Sequence, residues 1–144
     1  MRDTAVTAAK AGGSIVRKYF GQALSFERKA DRTVVSKADK ESEATIISII
    51  RDAFPAHAIN GEESGPSGDS EYVWHIDPLD GTTNFMHGIP LCAVSIGLER
   101  AGRFVLGVAY DPFRDDLYVA EDGKGVTWNG KPPGRSLLKI ILEF

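Results

Sequence analysis

Asp77 and Asp80 flank Pro78 and Leu79, and Gly81, Thr82 and Thr83 follow at once in the string WHIDPLDGTTNF. Pro78 fixes its φ near about −65° and favours a turn. Such a turn can bring both carboxylates to one side, with the Leu79 carbonyl between them. Oxygens crowded in this way repel one another unless a cation sits among them. Hard oxygen donors favour Mg²⁺, Mn²⁺ or Ca²⁺ over zinc, and no His/Cys pattern for zinc stands nearby. Gly81 and the two threonines offer backbone N–H groups and hydroxyls to an anion. A cation site abutting an anion site is what a phosphate ester needs. With two metals roughly 4 Å apart, one can activate a water while the other stabilises the leaving oxygen. Glu62 and Glu63, in INGEES, follow another expected strand and become further ligands if the strand ends meet; Glu63 by itself reads as a solvated neighbour of Glu62. Asp-Pro and Asp-Gly are also ordinary turn dipeptides. It is the longer string, with GEES upstream, that carries the functional reading.

These residues need elements to hold them. Val6, Ala9, Gly13, Val16 and Phe20 recur at three-to-four spacing and predict a helix over 4–20, capped by Asp3 and ended by Gly21. A weaker strand is expected at 24–28. The segment VVSKADKESEATIISIIRDAFP predicts a second helix, with Ile46, Ile47, Ile50 and Phe54 on one stripe and Pro55 as its stop. Ser36 and Asp39 fit a capping box at its entry. AIN at 58–60 predicts a strand, and SGPSGDS at 64–70 a loop on composition alone. The pattern then turns to strands: 72–76 ending at the acidic motif, CAVSIGLER and RFVLGVAYD joined by a hairpin at Ala101-Gly102, then DDLYVAED and GVTWN. Helices followed by a mostly antiparallel sheet make an α+β fold.

The chain has 144 residues, 42% apolar and 26% charged, with a net charge of −3. That suits one globular domain. No basic stripe marks a nucleic-acid partner. The apolar runs fall short of the roughly 18 residues of a membrane span, and no signal peptide stands at the N-terminus. The single Cys92 rules out an internal disulfide and fits a reducing compartment, so cytoplasm is expected. The apolar end, GKPPGRSLLKIILEF, sets 132–144 apart as an atypical or truncated tail on a domain spanning 1–131.

The strings AAKAGGSIVRKYF, VVSKADKESE, INGEESG, IDPLDGTTNFMHGIPLCAVSIGLE, GVAYDPFRDDLYVAEDGKG and WNGKP together resemble the inositol monophosphatase family, within the superfamily of metal-dependent, lithium-sensitive phosphatases. The resemblance implies the N-terminal half of a layered αβαβα sugar-phosphatase fold, with two helices packed on the sheet. It implies Mg²⁺ as cofactor, with Mn²⁺ or Ca²⁺ substituting in binding. Glu62, Asp77, the Leu79 carbonyl and Asp80 would be metal ligands. Thr82 would orient the attacking water with Asp39 as its partner, and Glu62 would assist. Asp80 with the Gly81 and Thr82 amides would hold the phosphate. The substrate would be a small phosphorylated polyol or sugar, the reaction direct in-line hydrolysis of a phosphate monoester, and the protein a homodimer. The family's second half carries a Trp-Asp-x-Ala-Ala-Gly motif that completes the second metal site; this sequence has none, so its C-terminal half is expected to be absent.

The same motifs serve fructose-1,6-bisphosphatase, histidinol-phosphate and nucleotide 3′-phosphatase relatives. A non-catalytic remnant that only binds metal, or an interaction module with an incidental acidic turn, are the rival readings. GVTWNGKP nearly spells a phosphate-binding loop, but Pro132 stands where Ser or Thr must reach Mg²⁺, and Asn129-Gly130 signals a hairpin instead. His57, His75 and His87 have no ligand spacing, with His75 placed as a neighbour of the metal site. Cys92, Trp74 and Trp128 read as packing residues.

Overall fold

Alanines and glycines at helical spacing let the first two helices approach closely. A computed structural model describes residues 1–22, 26–28 and 34–133. Helix α1 (Arg2–Tyr19) buries Ala5, Ala8, Ala9, Gly12, Gly13, Val16 and Tyr19. A Cβ on Gly12 would meet Ile46 Cδ1 at 2.7 Å, and one on Gly13 would meet the Tyr110 ring at 2.6 Å. Close approach rather than bulk therefore sets this face, and Val6 and Phe20, expected on the stripe, sit partly buried at its margin. Asp3 is not the cap: Met1 holds the N-cap position without a side-chain bond, and Asp3 lies inside the first turn, where its charge complements the helix dipole.

Strands β1 (Phe26–Arg28) and β2 (Val34–Ser36) form an antiparallel pair; positions 24 and 25 of the expected strand lie outside the described residues. Helix α2 (Lys37–Ala53) begins with the expected capping box of Ser36 and Asp39. Ile46 and Ile50 are fully buried, with Ile47 and Phe54 packed against the core edge.

The remaining chain builds a seven-stranded sheet from β3 (Ala58–Gly61), β4 (Gly65–Ser67), β5 (Tyr72–Asp80), β6 (Ala93–Arg100), β7 (Arg103–Asp111), β8 (Asp116–Glu121) and β9 (Gly125–Trp128), with the short helix α3 (Thr82–Met86) between β5 and β6. The order is β4-β3-β5-β6-β7-β8-β9. Among the described strands only β3 and β5 run parallel; every other neighbouring pair is antiparallel. Residues 64–70, expected as loop, contain β4, a short edge strand that tolerates Pro66 because an edge need not donate on both sides. The Ala101-Gly102 hairpin forms with φ of +48° and +83°, the left-handed pair a two-residue turn needs.

Trp74, Ile76, Val94, Ile96, Leu98, Leu106, Val108 and Val119 face the helices in cross-strand rows such as Ile76–Ile96–Val108. Helix α1 packs on β6 and β7, and α2 on β5. This is the expected α+β arrangement. The opposite face carries small residues, among them Ser95, Gly97, Gly107, Ala109 and Ala120, around the 60% exposed Phe104, and forms an open groove of about 640 Å³. No helix among the described residues is long and apolar enough to cross a membrane. The apolar tail from 134 onward lies outside them.

Candidate active site

Strand β5 does not stop at Ile76 as its sequence suggested. It runs on through Asp80, with a register shift against β6 between the pairs Asp77↔Ser95 and Asp80↔Ala93. Three steps on β5 face two on β6, which is a bulge. Pro78, which has no N–H to donate, sits inside it. Alternation along β5 buries Trp74 and Ile76 toward the helices and turns His75 and Asp77 to the open face.

The parallel partner β3 brings the second acid. Gly61 pairs with Ile76, and the Glu62 amide donates to the Ile76 carbonyl at 3.0 Å. Glu62 and Asp77 thereby reach hydrogen-bonding contact. Together with Asn60, His75, Ser95 and Phe104 they line a cleft of about 500 Å³. Burial first, and then the Glu62 charge, push the Asp77 carboxyl up from 3.8 to about 7, with a smaller push from Asp80. The Leu79 amide, donating to Asp77 Oδ1 at 3.1 Å, pulls the other way.

Leu79, bonded to Asp77 through its amide, reaches Thr82 through its carbonyl. The Thr82 hydroxyl lies 3.0 Å from the Leu79 carbonyl and 3.2 Å from Asp39 Oδ1. Asp39, 2% exposed, uses Oδ2 to accept from the Ser36 amide at 2.7 Å and the Ser36 hydroxyl at 2.6 Å. The helix cap thus leaves Oδ1 to Thr82. Gly81 has a φ of +90°, and a Cβ there would meet the Leu91 carbonyl at 2.9 Å; only glycine passes without strain. It opens α3, whose first amides have no acceptor within the helix.

Asp80 is exposed and acts on Asp77 only as a nearby charge. Among the described residues no three His, Cys, Asp or Glu side chains are grouped to hold a metal. Glu62 and Asp77 are nevertheless two hard, anionic oxygen donors on one cleft. The fold holds Glu62 and Asp77 together at the cost of their mutual repulsion, and a divalent cation would relieve it. The set fits such an ion.

Two buried residues of α2 went unread in the sequence. Ser42 donates to the Pro78 carbonyl at 3.1 Å. Glu43, 3% exposed, accepts from the Glu63 amide through Oε2 and from the Ser64 amide through Oε1, each at 2.8 Å. Their signal was position: 39, 42 and 43 share one helical face with the isoleucines at 46 and 50. The Glu63 backbone is thereby tied to Glu43.

His75 lies 2.9 Å from Glu99 Oε2 and 3.3 Å from Asn60 Nδ2. His57 stacks on Phe54 and Tyr72 and takes a bond from the Trp74 indole at 3.0 Å. Burial pushes the Cys92 thiol up to about 11, which leaves little thiolate for chemistry near neutral pH. Asn129 and Gly130, at φ +48° and +76°, turn the chain after β9; the near phosphate-loop string is that turn.

A sequence model of the inositol monophosphatase family matches residues 1–140. The chain belongs to this family. It is 42% identical over 135 residues to inositol monophosphatase 3 of Solanum lycopersicum, covering 90% of this chain and 50% of that protein. It is also 42% identical over 132 residues to a fructose-1,6-bisphosphatase/inositol-1-monophosphatase of Aquifex aeolicus, with the same coverage. Among solved structures, the extragenic suppressor protein suhB of Bartonella henselae superposes with a TM-score of 0.87 at 40% identity, over 90% of this chain and 52% of that one. The chain spans about half the length of the curated relatives it matches. Its sheet and two flanking helices are the part of the inositol monophosphatase fold it shares with them.

Proposed function

We propose that this chain supplies the cation- and water-positioning part of a phosphate-monoester hydrolase acting on inositol monophosphate or a related sugar phosphate. The observation that carries the reading is the contact of Glu62 with Asp77 in an open cleft, with Leu79 joining Asp77 through its amide and Thr82 through its carbonyl, and Thr82 bonded in turn to Asp39. Glu62, Asp77 and the Leu79 carbonyl would hold Mg²⁺, with Mn²⁺ or Ca²⁺ able to replace it in binding, and Asp80 would join when substrate and ion draw it in. Such an ion neutralises phosphoryl charge and makes a water nucleophilic near neutral pH. Asp39 fixes the Thr82 hydroxyl, because its other oxygen is saturated by Ser36. The Thr82 oxygen keeps lone pairs to accept from a water and aim it. The Gly81 and Thr82 amides, at the start of α3 where no helical acceptor takes them, would hold the phosphate oxygens.

Phosphate release tests this. Inositol 1-phosphate, fructose 1,6-bisphosphate, histidinol phosphate and a nucleotide 3′-phosphate are offered to the chain with and without Mg²⁺. Mg²⁺-dependent release, strongest on a polyol or sugar phosphate, is expected. Saturable Mn²⁺ binding without release from any of them would leave a metal-binding remnant in place of an enzyme.

A further inference from the structure

The Glu43 carboxylate lies under the GEES turn as a two-pronged acceptor, one oxygen to each of two successive amides. A charged side chain 3% exposed on a helix is costly unless such bonds compensate it. A second feature serves the same contact from the other side. A Cβ on Gly61 would stand 2.5 Å from Ser64 Oγ and 2.7 Å from both Glu43 Cδ and Glu43 Oε2, so the strand carries glycine where the turn and the carboxylate close on it. Glu62 lies between these two points, its own amide on the Ile76 carbonyl and the next amide on Glu43. Its backbone is pinned on both sides. The same helix holds the other arm of the site, through Ser42 to the Pro78 carbonyl and Asp39 to Thr82.

We propose that Glu43 is a positioning residue for Glu62: by gripping the Glu63 and Ser64 amides it fixes the turn that holds the Glu62 carboxylate against Asp77, and so sets the affinity of the site for a divalent cation. The inference rests on the metal-site reading above and names the residue that tunes that site. Both Glu43 oxygens are taken up by the Glu63 and Ser64 amides. Its effect passes through the backbone of residues 62–64. Gln at this position keeps the volume but turns an NH₂ toward one of the two amides, which breaks half of the grip.

The test uses the whole 144-residue chain. Free Mn²⁺ is followed by electron paramagnetic resonance for wild type, Glu43→Gln, Gly61→Ala and Asp77→Asn, alongside thermal melts. Amide exchange at Glu63 and Ser64 is read in the metal-free wild type and in Glu43→Gln. The expected result is a Mn²⁺ dissociation constant raised roughly 10- to 100-fold in Glu43→Gln, at temperatures far below its melt, with faster exchange at those two amides. Gly61→Ala should weaken binding likewise by displacing the carboxylate. Wild-type affinity in a folded Glu43→Gln, with Asp77→Asn unable to bind, would overturn the Glu43 role and leave the metal reading standing. Unprotected Glu63 and Ser64 amides in the wild type would overturn it even if both variants failed to fold. Absence of Mn²⁺ binding by the wild type would remove the metal reading, and this inference with it.

Discussion

Asp77 and Thr82 divide the work of the site, and single substitutions separate their roles. Asp77→Asn keeps the shape and the Leu79 contact but removes the charge that faces Glu62, so Mn²⁺ binding should be lost; isothermal titration of wild type and variant checks this. Thr82→Ala removes a hydroxyl held by Asp39 and Leu79. Phosphate release should slow roughly 100-fold, while Mn²⁺ affinity stays as in the wild type; equal losses in both would put the hydroxyl among the cation's own ligands. At this scale the sequence was most legible where chemistry needs an unusual string, as in DPLDGTT and GEES. Glu43 escaped because a glutamate on a helix is ordinarily solvated. Only its register with Asp39, Ile46 and Ile50 betrayed its burial.

Elements place those residues, and the least expected placements follow from backbone geometry. Proline suggested that β5 ends before Pro78, yet a bulge absorbs it and the strand carries Asp77 onto the open face. Composition hid β4, because Gly and Pro in a three-residue edge strand look the same as loop. The capping box was plain from Ser36 and Asp39 alone. Its double use, as cap and as the partner of Thr82, appears only once α2 is packed under β5. Ser36→Ala should lower stability by about 1 kcal/mol in thermal or urea melts, and should also slow phosphate release because Asp39 loses the Ser36 hydroxyl as a donor and keeps only the amide. Gly81→Ala should cost about 1–2 kcal/mol from the left-handed φ alone, before its clash with the Leu91 carbonyl is added.

For the molecule as a whole, the acidic pair makes stability depend on pH and on cations in opposite ways. The Asp77 carboxyl is raised from 3.8 to about 7 by burial and by Glu62. The folded state therefore binds more protons than the unfolded state between those values. Its contribution to stability is present below about pH 4 and is lost as pH rises toward 7. Melts of the metal-free chain should show this fall, Asp77→Asn should flatten it, and Mn²⁺ should reverse it by stabilising the ionised pair. The α+β class was legible from periodicity, while the position of β3 beside β5, on which the pairing of Glu62 with Asp77 depends, is a long-range parallel contact that no local pattern encodes. The most direct test is an anomalous difference map from crystals of the chain soaked in Mn²⁺. The account predicts a peak bonded to the Glu62 and Asp77 carboxylates and the Leu79 carbonyl; a peak elsewhere, or none beside Asp77, would contradict it.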